Sequence, residues 1–427
     1  MDRRAFLLLT LAGAADPGSP PGAPPAFSTA LLAPPPVVAS GDERFDAWAK
    51  DFLDREIRAG APAEVLTREF KGLTPDPQVL ALDSRQPEFA RPVGAYVRGV
   101  VTDREVALAQ RKRQELTALG DIERRYGVPG EILVGVWAME SNFGALQGNF
   151  DVLRSLATLA ADGRRRDWAE EQIRAVIRII ATGQAGRAQL RGSWAGAMGQ
   201  TQFEPEEYLR TAVEVGGGGR PDIWGSSADA LASAAHLLAK AGWRAGERWD
   251  REMSLPAGFD YSLAEGPMQS PAAWAAIGVR PADNRGWTEA DGAATAQLVL
   301  PAGALGPAFL IFPNHFVIRK YNNSLAYALA VGLLADRIDG QGPLAKAWPP
   351  EIALSLADRV DAQRALATLG FDPGSADGAI GVNTRAALRA WQKARGLPAD
   401  GYLSPDMVFR LRGETAEPSA PSLAAPG

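Results

Sequence analysis

The chain has 427 residues, with 45 Lys and Arg against 50 Asp and Glu for a net charge of −5. That length gives room for roughly two to three domains, and the charge excludes a broad electrostatic grip on nucleic acid. Hydrophobic residues at 46% and charged residues at 22% exclude disorder throughout, and the absence of Cys excludes disulfides, thiolate nucleophiles, Cys-zinc sites and a lipid-modified Cys anchor.

Met1-Asp2-Arg3-Arg4 precedes a short apolar run, Ala5 to Ala15. A charged start, an apolar middle and the small residues Ala12-Gly13-Ala14-Ala15 have the layout of an export signal, and Arg3-Arg4 fits the twin-arginine type. The run is too short to span a bilayer. Asp16 to Ser40 is rich in Pro and reads as an extended linker. The first segment is therefore 1–40, signal plus linker. From Asp42 to about Gly120 the pattern is mostly helical, with Thr102-Asp103-Arg104-Glu105 as a helix start of capping-box type.

Gly127-Val128-Pro129-Gly130-Glu131 opens the next helix, with Pro and an acid in its first turn. Ile132, Leu133, Val136 and Trp137 form an apolar stripe, and four residues beyond Val136 the same face reaches Glu140. A carboxyl group on a buried face has its charged form disfavoured, which suits it to donate a proton to a glycosidic oxygen. The bland reading is a Glu that satisfies backbone donors at a helix end.

Arg191 to Phe203 is small and polar, with Ser193, Gln200 and Gln202 as hydrogen-bonding groups. It reads equally as a ligand-approach loop or a tight packing corner. Ser193 is not in a Gly-x-Ser-x-Gly elbow, because position 191 is Arg. Pro205-Glu206-Glu207 begins another helix, its acids favouring the N-terminus. Helical pattern continues to Trp243. Arg244 to Phe316 then contains Pro, Gly and the β-like runs Ala296–Leu300 and Ala308–Phe312, a small strand-containing insertion.

Lys320-Tyr321-Asn322-Asn323-Ser324-Leu325-Ala326-Tyr327 is a polar aromatic cluster. Tyr rings stack on sugars and donate hydrogen bonds. The competing reading makes Asn323 or Ser324 a helix cap and the tyrosines half-buried core. Helix follows from Ser324 to Ile338, then Gly340 to Pro350 marks a boundary. A compact unit runs from Ile352 to Arg412, and 413–427 reads as a disordered tail.

In this order, the pieces resemble the soluble lytic transglycosylase B family of peptidoglycan-cleaving enzymes. The carrying motifs are Tyr126-Gly127-Val128-Pro129, Glu140-Ser141-Asn142-Phe143-Gly144, Ser193 to Gly199, Gln202-Phe203, Asp222-Ile223-Trp224, Ala241-Gly242-Trp243 and Lys320 to Ser324. The resemblance spans roughly Asp42 to Ile338 and implies a mainly α, lysozyme-like catalytic domain over 41–340. It implies Glu140 as the single catalytic acid/base, with Ser193, Gln202, Tyr321, Asn322, Tyr327 and Tyr96 binding substrate. The implied reaction cleaves the β-1,4 bond between N-acetylmuramic acid and N-acetylglucosamine without water. Glu140 protonates the leaving oxygen, the substrate's N-acetyl group assists, and Glu140 then takes the C6 hydroxyl proton to close a 1,6-anhydro ring. No cofactor is expected.

Two departures stand out. Many relatives carry a calcium-type acidic loop before Asp-Ile-Trp, whereas 215–222 here is Val-Gly-Gly-Gly-Gly-Arg-Pro-Asp, with only Asp222 as an acidic ligand. Hard cations need several oxygens, so no metal is expected there. Leu237 stands where relatives often place a Tyr. The unit 352–412 resembles the type 1 peptidoglycan-binding domain, on Asp361-Ala362-Gln363, Asp377-Gly378, Thr384-Arg385-Ala386-Ala387-Leu388, Trp391-Gln392 and Asp400-Gly401. That implies a three-helix module after a linker at 341–351, holding the enzyme on peptidoglycan strands in the periplasm. The other readings are a hydrolytic muramidase pairing Glu140 with Glu204 or another acid, and a non-catalytic wall-binding scaffold.

Overall fold

The computed structural model describes residues 39–84, 91–288, 291–292 and 294–415. The expected export signal and most of its linker, and the tail beyond 415, lie outside them. The chain is mainly helical, with a two-stranded ribbon and a four-stranded antiparallel sheet. It divides into two compact units that cut across the segments read along the sequence. Among the described residues, one comprises 39–84, 109–241 and 320–323, and the other comprises the rest.

The core of the first unit is aromatic and aliphatic. Helix Glu43–Arg58 lays Phe45, Trp48 and Phe52 on one face, and Trp48 stacks on Phe52 at 5.5 Å, which stacks on Phe70 at 5.7 Å. Helices Val152–Asp162 and Arg166–Ala181 close the cluster with Leu153, Leu156, Ile173 and Val176. Buried aromatics of this kind dominate core energetics. A buried carboxylate ties the two sides together. Glu170 accepts from Trp48 Nε1 at 3.0 Å, Arg55 Nη2 at 2.8 Å and Arg174 Nη2 at 3.4 Å. Such a charge is tolerated because it is paired and hydrogen-bonded.

The second unit contains the sheet, in spatial order Arg280–Pro281, Asp250–Ser254, Ala308–Ile311, Gln297–Val299, all neighbours antiparallel. Two of these strands fall in the β-like runs read from sequence. Trp274, Leu298, Leu310 and Phe312 fill its core. Three helices, Leu356–Thr368, Val382–Ala394 and Pro405–Thr415, pack around Leu366, Leu388, Trp391 and Leu411. The last helix corrects the tail boundary: 413–415 are helical, because Glu414 pairs with Arg395 at 2.6 Å and accepts from Trp391 Nε1 at 3.2 Å.

These three helices are fastened to the insertion. Glu265 receives Arg385 at 2.7 Å and Arg389 at 2.6 Å. Burial pushes its carboxyl up, but the two guanidinium groups outweigh this and hold it below the usual carboxylate range. The stretch read as a linker is strapped too. Glu252 accepts Ala345 N at 2.7 Å and Lys346 N at 2.8 Å, and Glu351 accepts Ala95 N at 3.0 Å and Tyr402 Oη at 3.1 Å.

Asp250 and Asp336 form a buried acidic pair. Burial, then the charges of Asp336 and Glu252, push Asp250 well above the usual range. Burial pushes Asp336 up to about 7, against the hydrogen bond from Trp249 Nε1. Raised folded-state values mean that the stability from the protonated forms is complete below the unfolded value near ~4 and is lost as pH climbs through about 7. Asp250→Asn is expected to raise the Tm at pH 8 relative to the parent and to shrink the Tm difference between pH 5 and pH 8. Thermal melts across that range check it.

Candidate active site

Every residue from Gly130 to Ala138 is buried, so the helix Gly130–Ser141 is enclosed on all sides and carries no single apolar stripe. Glu140 is half-buried, not sunk on a buried face as its spacing predicts. Met139 and Glu140 are the half-buried residues of its last turn, whereas Ser141 beyond them is buried again at 1% exposure. The chain then leaves the helix through three consecutive left-handed residues, Asn142, Phe143 and Gly144, at φ 49°, 57° and 80°. Asn tolerates this region; Phe143 does so at a cost of roughly 1 kcal/mol. Asn142 N bonds Ala138 O at 3.0 Å and Phe143 N bonds Trp137 O at 3.2 Å, while the Phe143 ring sits edge-on to Trp137 at 5.5 Å. The helix end is thereby capped and its last side chains are fixed.

Gln200 holds this end to the rest of the unit. Its side-chain oxygen accepts from Trp137 Nε1 at 2.9 Å and Ser227 Oγ at 3.0 Å, and its amide nitrogen donates to Trp224 O at 3.1 Å. Its backbone carbonyl accepts from Ser141 Oγ, and its backbone N–H donates to Ile223 O at 2.9 Å. One residue thus links the helix of Glu140, the small polar loop and the Asp-Ile-Trp segment. A Cβ at Gly144 would lie 2.7 Å from the Gln200 side-chain oxygen, so only glycine leaves that group in place.

Ser193 is half-buried on the loop, and its Oγ accepts from Ala197 N at 3.1 Å. The strand before it, Arg191–Gly192, pairs with Phe150–Asp151. Gly148, at φ +86°, lets the two backbones meet; a Cβ there would lie 2.1 Å from Gly192 O. Gln202 is itself left-handed, at φ 52°. Its amide nitrogen donates to Gln147 O at 3.0 Å and Gly199 O at 2.8 Å, which spends both its hydrogens on the loop and leaves the oxygen as its outward group. Tyr321 donates to Thr201 O at 2.7 Å, and its ring lies 6.2 Å from that of Phe203. Burial, and next the nearby Glu140 charge, push its phenol well above the ordinary value. Glu140 and Tyr321 thus lie within electrostatic reach of each other, and Asn322 beside Tyr321 is half-buried.

Tyr96 and Tyr327 are buried at 4% and 1% exposure and belong to the other compact unit. Ser324 caps the helix Leu325–Ile338 through Tyr327 N at 3.3 Å, as one of the two sequence readings expects. Glu204 accepts from Trp168 Nε1 at 3.4 Å, and burial pushes its carboxyl up to about 7. Trp137 and Gln147 are positioning groups that sequence reasoning did not place in the site, and Gln200, read from sequence as a hydrogen-bonding group of the loop, turns its bonds on the protein itself. The one available signal was a Gln between two glycine-rich turns.

The sequence pattern of the transglycosylase SLT domain matches residues 44–336, and that of a peptidoglycan binding domain matches 355–411. The chain belongs to the transglycosylase SLT family. Membrane-bound lytic murein transglycosylase B of Escherichia coli K12 is 31% identical over 221 residues, 50% of this chain and 58% of that relative. The matched segment thus spans little more than half of the curated relative. SltB3 of Pseudomonas aeruginosa, in complex with NAG-anhNAM-pentapeptide, is 46% identical, covers 87% of this chain and 100% of its own, and superposes with a TM-score of 0.83. Escherichia coli lytic transglycosylase Slt35, in complex with calcium, is 27% identical over 68% of this chain and 92% of its own, with a TM-score of 0.59. The lysozyme-like, mainly helical architecture is common to these enzymes.

The loop 215–222, where the sequence leads to the expectation of no metal, has the carboxylates around it committed to backbone donors. Asp229 receives Val215 N at 3.1 Å and Asp222 N at 2.9 Å, Asp222 receives Trp224 N at 3.1 Å and Gly225 N at 2.9 Å, and Glu214 receives Gly218 N at 2.8 Å. The carboxylates are turned onto backbone donors, which do here what a cation does in an acidic loop. Among the described residues no group of three or more His, Asp or Glu could hold a metal ion.

Replacing Gln200 strands a buried indole N–H and a hydroxyl. Gln200→Leu is expected to cost about 3 kcal/mol of stability and to lower kcat more than it raises KM, since it releases the end of the Glu140 helix. Denaturant titration and steady-state turnover of peptidoglycan check it.

Proposed function

We propose that this lytic transglycosylase uses Glu140 as acid and then as base. The observation that carries the reading is the half-buried Glu140 carboxyl within electrostatic reach of the half-buried Tyr321, at a helix end held by Gln200. Glu140 gives its proton to the oxygen leaving the N-acetylmuramic acid anomeric carbon. The substrate's N-acetyl group supports the electron-poor centre. As a carboxylate, Glu140 then takes the proton of the muramoyl C6 hydroxyl, whose oxygen closes the 1,6-anhydro ring. The proton balance returns Glu140 to its starting state, so no second carboxylate and no water are consumed.

Ser193 and the side-chain oxygen of Gln202 supply hydrogen bonds to the sugar. The Ser193 hydroxyl hydrogen is given to no protein group among the described residues. We assign Tyr321, Asn322, Tyr96 and Tyr327 to saccharide contacts on the strength of the family resemblance. The catalytic domain spans 41–340, and the module at 352–412 binds the wall and raises the local concentration of scissile bonds. We place the enzyme in the periplasm, on the signal-like start Met1 to Ala15. No helix among the described residues is long and apolar enough to cross a membrane.

The wild-type protein is expected to release muropeptides with 1,6-anhydro ends, read by mass spectrometry. Reducing ends in their place support hydrolysis and overturn the proposal. Glu140→Gln is expected to lose at least about 10²-fold in rate while still binding sacculi in a sedimentation assay. Undiminished turnover in that variant removes Glu140 from the chemistry.

A further inference from the structure

The ribbon that carries Ser193 borders a cavity of about 190 Å³. Arg191, one residue before Gly192 and two before Ser193, forms part of its wall, with Gln78, Phe150, Asp76, Asp151 and Arg154. The volume is that of roughly six waters, enough for a short side chain and its polar head.

Its charges are unequally matched. Asp151 receives Arg187 Nε at 3.0 Å, Arg187 Nη2 at 2.9 Å and Arg154 N at 3.0 Å. Asp76 receives Gln78 N at 3.0 Å and lies 3.3 Å from Arg154 Nη1. Arg154 spends its other N–H groups on Thr74 and Pro75 oxygens at 2.8–3.2 Å. Both carboxylates are thus already neutralised. The Arg191 guanidinium is exposed and makes no ion pair or side-chain hydrogen bond among the described residues. It is a fork of donors without an acceptor, at the mouth of a polar recess with one aromatic wall.

A sugar asks for a ring platform and many neutral partners; a guanidinium asks for a planar anion. Phe150, half-buried, offers a surface for a methyl-sized group beside it. We propose that the cavity is a subsite for a carboxylate of the peptide stem borne by the glycan, gripped by Arg191. This rests on the lytic reading and deepens it. The continuous ribbon from Ser193 to Arg191 carries a strand bound at Ser193 toward the cavity, so cleavage would favour stretches whose stems keep a free carboxylate.

The test titrates the full chain with three probes at matched ionic strength: a free stem pentapeptide, the same peptide with its carboxylates amidated, and inorganic phosphate. The free peptide is expected to bind at least about tenfold more tightly than the amidated one. Arg191→Ala is expected to remove most of that difference and R191K to restore part of it, since Lys lacks the bidentate fork. Gln78→Glu, which sets an anion at the cavity, is expected to weaken the free peptide alone. In turnover, the ratio of kcat/KM on peptide-bearing strands to that on peptide-free strands is expected to fall about tenfold in R191A. Equal binding of the two peptides, phosphate competing as well as the free peptide, or an unchanged ratio overturns the subsite. Failure of the wild-type chain to cleave either kind of strand overturns the lytic reading instead, and the peptide titration then judges the cavity independently.

Discussion

The hydrogen bonds converging on Gln200 are the constraint on which the rest of the site depends. A general acid is useful only if its carboxyl is held within a fraction of an ångström of the bond it serves. Glu140 lies in the final turn of its helix, where backbone hydrogen bonding runs out and fraying is easiest. Gln200 counters this by taking the indole N–H of Trp137 and the hydroxyl of Ser141 on either side of Glu140. It passes the constraint to Ile223 and Trp224 through its own donors. A buried amide with every group engaged in this way is rigid, because any rotation strands a donor away from water.

Backbone strain is concentrated around the same point. Asn142, Phe143 and Gln202 are left-handed residues with side chains, at φ 49°, 57° and 52°. Each is over-determined by its surroundings: Phe143 by its ring contact with Trp137, Gln202 by two carbonyls that hold its amide. Strain of this kind clusters where a chain must present groups at fixed angles. The Gln202 turn places Phe203 against the ring of Tyr321.

The second unit works by charge. Glu265 accepts from both Arg385 and Arg389, and Glu252 and Glu351 pin the stretch between the sheet and the three terminal helices. A wall-binding module on a loose tether adds local concentration alone. One fastened through a buried carboxylate also has a set orientation relative to the sheet of its own unit, since loss of either partner leaves an uncompensated charge.

Much of the architecture was legible in the residues. The run Glu43 to Arg58, the Pro and acid opening the Glu140 helix, the cap at Ser324 and the two β-like runs of the insertion are local patterns, and local backbone preference together with periodicity determines them. The chemistry excluded by a chain without cysteine was equally plain. The burial of Glu140 was overstated because periodicity reports an angle around one helix, whereas exposure depends on which distant segments pack there: Ser141, one residue further on, is buried against Gln200. The side-chain partners of Gln200, the pairing of Asp151 with Arg187 that leaves Arg191 unmatched, and the clamp on Glu265 join residues 24 to 124 positions apart. Sequence determines which side chains can donate and accept, but only the packing of distant segments decides which of them meet and which are left over for a ligand.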